Sequence, residues 1–147
     1  MKRYLFPTAA LAGVLLLSGC SADSMARSQL SQAAGDAASS SRSAGLVLGL
    51  EQNDRLIPGT LDTGLSGSGE TLAQQATTLS GLTATGGIGA DRDRILKRVR
   101  AAQDAVQTAL DRESAGTLSG AALDGLRTRL DALAQQLDAD AKRLEKQ

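Results

Sequence analysis

The clearest pattern of hydrophobic and polar positions lies at the C-terminal end of the chain. Leucines recur there at spacings of 3, 4, 3, 4 and 7 residues, at Leu123, Leu126, Leu130, Leu133, Leu137 and Leu144. A heptad of this kind predicts an amphipathic, coiled-coil-like helix. Asp140, followed by Ala141, occupies the one heptad position without a leucine. Ser119 is a suitable N-cap, so we predict a helix over residues 119–146.

A second segment has the same periodicity. Its apolar residues are spaced by 4, 3, 4 and 3 positions, at Ile95, Val99, Ala102, Val106 and Ala109. Acidic residues precede this face, and negative charge favours the positive end of a helix dipole. The pattern predicts a helix over residues 90–112, after a glycine-rich turn at residues 85–89 and before another turn at residues 113–118.

The first half of the chain is patterned less strongly and relies on small residues. Alanine, leucine and valine recur at helical spacing and predict a helix over about residues 22–54. Its end, residues 46–50, is a continuous apolar run that would also suit a strand, but no partner strand exists, so we interpret it as a buried helix end. Residues 60–84 fit a further helix, although three glycines leave undecided whether residues 60–69 are helical.

Four amphipathic segments with short connections predict an all-α fold. We expect an antiparallel helical bundle of three to four helices, partly coiled-coil-like, arranged up-down-up-down or as an elongated pair of helical hairpins. The leucine face of the last helix is expected to pack on the Ile95, Val99 and Val106 face within the same chain. A dimer seam is the alternative for these leucines.

The N-terminus has the order of an export signal. Lys2 and Arg3 precede a mostly apolar run of 13 residues, Leu5–Leu17, which is short for a membrane span of about 20 residues. The run ends in Leu17-Ser18-Gly19-Cys20, which resembles the bacterial lipobox of a leucine, two small residues and a cysteine.

This resemblance implies a diacylglycerol on Cys20 and cleavage just before it. Residues 1–19 would then be a cleaved signal peptide, and residues 20–147 a helical domain held at the cell membrane on the exported side. Ser21 favours the outer membrane if the host is Gram-negative. The composition, rich in Ala, Gly, Arg and Asp, also suits a high-GC host with a single membrane.

The composition excludes several function classes. Tyr4 and Phe6 are the only aromatic residues, both precede Cys20, and the chain has no His. Without His or a second Cys, the usual zinc sites and nucleophile–His arrangements are excluded, so we expect no catalytic residues, no metal and no cofactor. Removal of Lys2 and Arg3 leaves 14 basic and 16 acidic residues, which argues against nucleic-acid binding.

The sharpest polar feature after Cys20 is a group of basic residues in the 90–112 helix. Arg94, Lys97 and Arg100 are expected to point away from the apolar face, and Arg98 to flank it. These four side chains could contact anionic lipid headgroups or an acidic partner. The alternative, which we favour, is a solvated helix face on which Asp91 and Asp93 balance the charge.

The sequence therefore predicts an exported, lipid-anchored protein of the bacterial cell envelope. Its expected role is that of a non-catalytic interaction or scaffold module, which contacts the membrane through the Cys20 lipid and binds an envelope protein. The alternative is a small-molecule binding module that uses a groove between helices.

Overall fold

The computed structural model describes four helices that confirm the all-α prediction. It covers the backbone of residues 17–53, 55–57 and 59–147, with side chains from residue 22 onward. Residues 1–16 of the predicted signal lie outside this part of the chain. The helices are α1 (Leu17–Gln52), α2 (Thr60–Gly81), α3 (Gly86–Ser114) and α4 (Gly120–Glu145).

The helices form one closed antiparallel bundle, not two separate hairpins. Each of α1 and α3 packs on both α2 and α4, whereas no Cα atoms of α2 and α4 come within 8 Å of each other in the described residues. Gln75 of α2 reaches Asp36 of α1, and Gly64 lies against Val47, so residue numbers run in opposite directions along this pair. The N-terminus of α1 and the C-terminus of α4 consequently lie at the same end of the bundle.

The most extensive helix contact joins α1 and α4, which corrects the expectation that the leucine face of α4 packs chiefly on α3. The reason is the small side chains of α1, which let the backbone of α4 approach closely. A Cβ atom on Gly45 would lie 3.0 Å from an Asp131 carboxylate oxygen, and one on Gly49 would lie 3.5 Å from Arg127 Cδ. A bundle whose four helices contain no aromatic residue thus builds its core by close approach of the helices.

The leucine heptad of α4 does not stay on the buried face along the whole helix. Leu130 and Leu137 are fully buried, but Leu133 is only partly buried and Ala134 takes the fully buried position between them. An α-helix has 3.6 residues per turn, so a strict seven-residue repeat drifts around a nearly straight helix. The leucine stripe is enclosed within the bundle, as the intramolecular interpretation requires.

The structure decides one segment that the sequence pattern left open and shortens one predicted turn. The glycine-rich residues 60–69, which the sequence pattern does not decide, belong to α2 along their whole length. The predicted turn at residues 85–89 is shorter, because α3 begins at Gly86 and includes the buried Ile88. Gly89 allows this tight entry, since a Cβ atom there would lie 3.0 Å from the carbonyl oxygen of Ala84.

None of the helices in the described residues is both long and apolar enough to cross a membrane.

Candidate functional site

The most unusual side chain of the bundle is the carboxylate of Asp140. This residue occupies the heptad position where a leucine is missing, and only 2% of its surface is exposed. A buried carboxylate is costly unless cations and hydrogen-bond donors compensate it. Its surroundings therefore determine whether α4 can pack in its observed register.

Three arginines supply that compensation. Arg98 Nη1 donates to Asp140 Oδ2, Arg94 Nε donates to Oδ1 at 3.3 Å, and Arg143 Nη2 donates to Oδ1 at 2.8 Å. Arg94 and Arg98 stand one turn apart on α3, whereas Arg143 stands one turn beyond Asp140 on α4. The carboxylate thus joins the two helices at a fixed register.

A second carboxylate extends this group of charges. Asp91, in the first half of α3, accepts a hydrogen bond from Arg94 and a longer one from Arg143 Nη2 at 3.4 Å. We name Asp140, Asp91, Arg94, Arg98 and Arg143 the Asp140 cluster. Its three cations and two anions leave one excess positive charge in the half of the bundle that carries Cys20.

The electrostatic environment of Arg94 favours its charged form. Burial acts to lower the pKa of Arg94, but the hydrogen bond to Asp91 and the charge of Asp140 outweigh it and raise the pKa above its usual value. Arg94 therefore stays a cation at every pH at which the bundle would be handled. The Asp140 cluster thus acts as an ionic clamp between α3 and α4.

The four basic residues predicted to meet an anionic surface occupy two different environments. The expectation that Arg94 points away from the apolar face is wrong, because its side chain reaches Asp140, and Arg98 joins it there. Lys97 is exposed on α3, and Arg100 is exposed with one long contact, at 3.5 Å, to Ser80 Oγ. Contact with an anionic surface stays a prediction, and within this set Lys97 and Arg100 are the side chains without a carboxylate partner in the described structure.

The predicted lipid-attachment residue lies in the first turn of α1. Leu17, Ser18, Gly19 and Cys20 all have helical backbone, while their side chains lie outside the described residues. The helix continues from Cys20 into the core without interruption. Lipid attachment at Cys20 stays a prediction that rests on the sequence motif.

An open groove lies beside this end, between α1 and α4. It has a volume of about 580 Å³ and is lined mostly by polar residues, including Arg27, Ser31 and Glu145. Ser31 Oγ donates to the Ala141 carbonyl and to Glu145 Oε1, both at 3.2 Å. Arg27 Nε is buried and has no hydrogen-bond partner among the described residues.

Sequence reasoning located the missing leucine at position 140 but missed the cluster around it. The available signal was the coincidence of a carboxylate at a buried heptad position with two arginines spaced four residues apart on the neighbouring helix. No group of three or more His, Cys, Asp or Glu side chains in the described residues could hold a metal ion. Comparisons with protein-family models, with curated proteins and with solved structures find no match for this chain.

Proposed function

We propose that this chain is an exported, lipid-anchored helical bundle of the bacterial cell envelope that serves as a non-catalytic interaction or scaffold module. The observation that carries the proposal is the order of the sequence segments at the N-terminus. Two basic residues, an apolar run and Leu17-Ser18-Gly19-Cys20 follow one another in the order that lipid attachment requires.

The physics of membrane anchoring supports the use of Cys20. Each buried methylene contributes about 0.8 kcal/mol, so one acyl chain holds a protein only marginally while two hold it stably. A diacylglycerol on Cys20 supplies two chains at the start of α1. The bundle that follows is held by aliphatic packing and by the Asp140 cluster, which gives a rigid body suited to presenting a surface.

The first experiment tests the anchor. Intact mass of the protein purified from membranes of an expressing bacterium should show a chain that begins at Cys20 and carries the added mass of a diacylglycerol. Cys20→Ala should lack this mass, whereas the matched variant Ser18→Ala, which keeps a small residue in the motif, should retain it. A full-length chain in the medium with an unmodified Cys20 would refute the proposal.

The second experiment tests the interaction role. Cross-linking in intact cells, followed by mass spectrometry of the purified lipoprotein, should identify an envelope protein joined to α1–α4, or a second copy of this chain. Cys20→Ala should lose most of this product, because an unanchored bundle is diluted away from membrane partners. If cross-linking yields the monomer alone, the interaction role is rejected.

The groove between α1 and α4 favours a second candidate function, the binding of a small polar molecule. Its volume of about 580 Å³ lies within the range of ligand sites, and Arg27 Nε is an unused donor there. Calorimetric screening of small carboxylates and phosphates tests this function. Binding that Arg27→Gln abolishes and Arg112→Gln leaves intact would support it, and heats equal to buffer for every compound would reject it.

A further inference from the structure

The antiparallel topology divides the charged residues between two ends of the bundle. Contacts across the helix pairs place one level of the bundle at the same height on all four helices, as shown by Asp36 with Gln75, Gly69 with Val106, and Gly45 with Leu130. This level passes near Ser39 in α1, Leu72 in α2, Gln103 in α3 and Gln136 in α4. We name residues 20–39, 72–103 and 136–147 the anchor half, and the rest of the described bundle the distal half.

The anchor half carries an excess of cations, and the distal half an excess of anions. The anchor half has nine basic side chains against seven acidic ones. The described distal half has five basic side chains against eight acidic ones. The basic residues of the anchor half are Arg27, Arg92, Arg94, Lys97, Arg98, Arg100, Lys142, Arg143 and Lys146, and the acidic ones are Asp23, Asp36, Asp91, Asp93, Asp138, Asp140 and Glu145.

The continuous α1 helix connects Cys20 to the charged residues of the anchor half without a flexible linker. The helix includes Cys20 and runs continuously into the core, which it enters at Leu30. Arg27 is seven residues from Cys20, which at 1.5 Å per residue is about 10 Å along the axis. Met25 lies on the intervening turns and is 61% exposed, so the segment next to the anchor presents an apolar side chain.

Two cations near the end of the bundle that carries Cys20 have no Asp or Glu partner among the described residues. Arg27 Nη1 donates only to the main-chain oxygen of Gln147, at 3.5 Å, and this contact places the end of α4 beside it. Lys146 is exposed next to Gln147. Arg94, Arg98 and Arg143, in contrast, use their donors within the Asp140 cluster.

We propose that the anchor half rests directly on an anionic lipid surface, with Arg27 and Lys146 contacting headgroups, Met25 at the interface and the distal half directed away from the membrane. The inference rests on the lipid anchor proposed above. The surface potential of an anionic leaflet decays over a Debye length of about 8 Å at physiological salt. Cations about 10 Å from the anchor, with long side chains, lie within its reach, whereas the acidic distal half lies several Debye lengths away.

The positions of the lysines allow a direct test. The three lysines that follow Cys20 all lie in the anchor half: Lys146 stands at its end, whereas Lys142 and Lys97 each lie six residues from the dividing level. The mature lipoprotein would be reconstituted in vesicles of phosphatidylcholine alone or mixed with phosphatidylglycerol. Each amine would then be labelled with an N-hydroxysuccinimide ester and quantified by peptide mass spectrometry.

The variant Arg129→Lys provides the matched control, because it adds an amine to the exposed surface of the distal half without a change of charge. A surface potential of about −30 mV lowers the local pH by about half a unit and so slows labelling about threefold. Lys146 should show this reduction in anionic vesicles, Lys142 and Lys97 should both show a smaller one, and the introduced amine should show none. High salt should remove the differences.

A second pair of variants tests the contact itself. Arg27→Gln should reduce the protection of Lys146, and Arg112→Gln, which removes a cation from the distal half, should leave it unchanged. Equal labelling of Lys146 in both kinds of vesicle, on a protein whose intact mass includes the lipid, would overturn the inference and leave the anchor standing. A protein without the added lipid mass would instead refute the proposed function.

Discussion

Substitution of Asp140 by Asn tests the stabilising role of the Asp140 cluster. Asn keeps the size of the side chain and one acceptor oxygen, but it removes the charge that holds Arg94, Arg98 and Arg143. A hydrogen bond to a charged group contributes about 1.5–3 kcal/mol when it is shielded from water. The three arginine side chains are 26–44% exposed, so water recovers part of that loss.

We therefore expect Asp140→Asn to lower the free energy of unfolding by about 2–3 kcal/mol in total. With a urea m-value of about 1.5 kcal/mol/M, the unfolding midpoint should fall by about 1.5 M. The assay is urea unfolding of the protein followed by far-ultraviolet circular dichroism, since the chain after Cys20 has no aromatic residue to serve as a fluorescent reporter.

Asp138→Asn is the matched control, because it makes the same chemical change two residues away, where Lys142 Nζ donates to Asp138 at 2.7 Å on the exposed surface. Its midpoint should change much less than that of Asp140→Asn. Equal midpoints for the two variants would refute the reasoning, because burial of the carboxylate would then add nothing. A stabilised Asp140→Leu variant would show that packing at this heptad position outweighs the ionic clamp.

Two further predictions concern α2 and α4. A methyl group on Gly67 would meet no neighbouring atom of the bundle within 4 Å, so Gly67→Ala should stabilise the bundle by about 0.5–1 kcal/mol. Gly64→Ala should stabilise it less or destabilise it, because the new Cβ would lie 2.9 Å from Val47 Cγ2. Equal unfolding free energies for the two variants would contradict this prediction. The hydrogen bond from Lys142 lowers the pKa of Asp138, so this pair stabilises the fold above the carboxyl's unfolded pKa and loses that effect as the pH falls through the folded pKa. In Lys142→Met the pKa of Asp138, measured by carboxyl NMR titration, should rise, and an unchanged titration would show that Lys142 is not its main partner.

The sequence predicted the parts of the fold that depend on local periodicity. The leucine repeat around Leu130 and the Ile95–Val99 face each produced a helix whose observed range lies close to the predicted one. The interpretation of residues 46–50 as the end of a helix is also confirmed, but its burial is confirmed only for Leu48, because Leu46 is 64% exposed. Such patterns are readable because a buried helix face must recur every three or four residues.

The choice of packing partner was not predictable in the same way. The sequence pattern predicted that the α4 leucines pack on the large apolar face that contains Ile95 and Val99. Instead, α4 packs chiefly on the alanines and glycines of α1. Small residues contribute little to a hydrophobic pattern, but they allow a short interhelical distance, over which a leucine contacts more atoms. The spacing of Gly45 and Gly49, four residues apart on one face, is the feature that indicates this approach.

The Asp140 cluster escaped prediction for a related reason. On a single helix, Arg94 and Arg98 look like part of a solvated basic face, because their partner stands more than 40 residues later in the chain. Only the register between α3 and α4 brings the opposite charges together. The sequence could indicate that position 140 was anomalous, but not which cations would meet it.

The same register between helices determines the charge that the anchor half would present to a membrane. The first half of α3 and the last half of α4 hold most of the cations, yet along the chain they are as far from Cys20 as about 70 and 120 residues. Because alternate helices reverse direction, both segments return to the level at which α1 begins. A bundle in which α3 ran the other way would place Lys97 and Arg100 in the distal half and reverse the polarity. Stronger protection of Lys146 than of Lys142 and Lys97 is therefore a test of the topology as well as of the membrane contact.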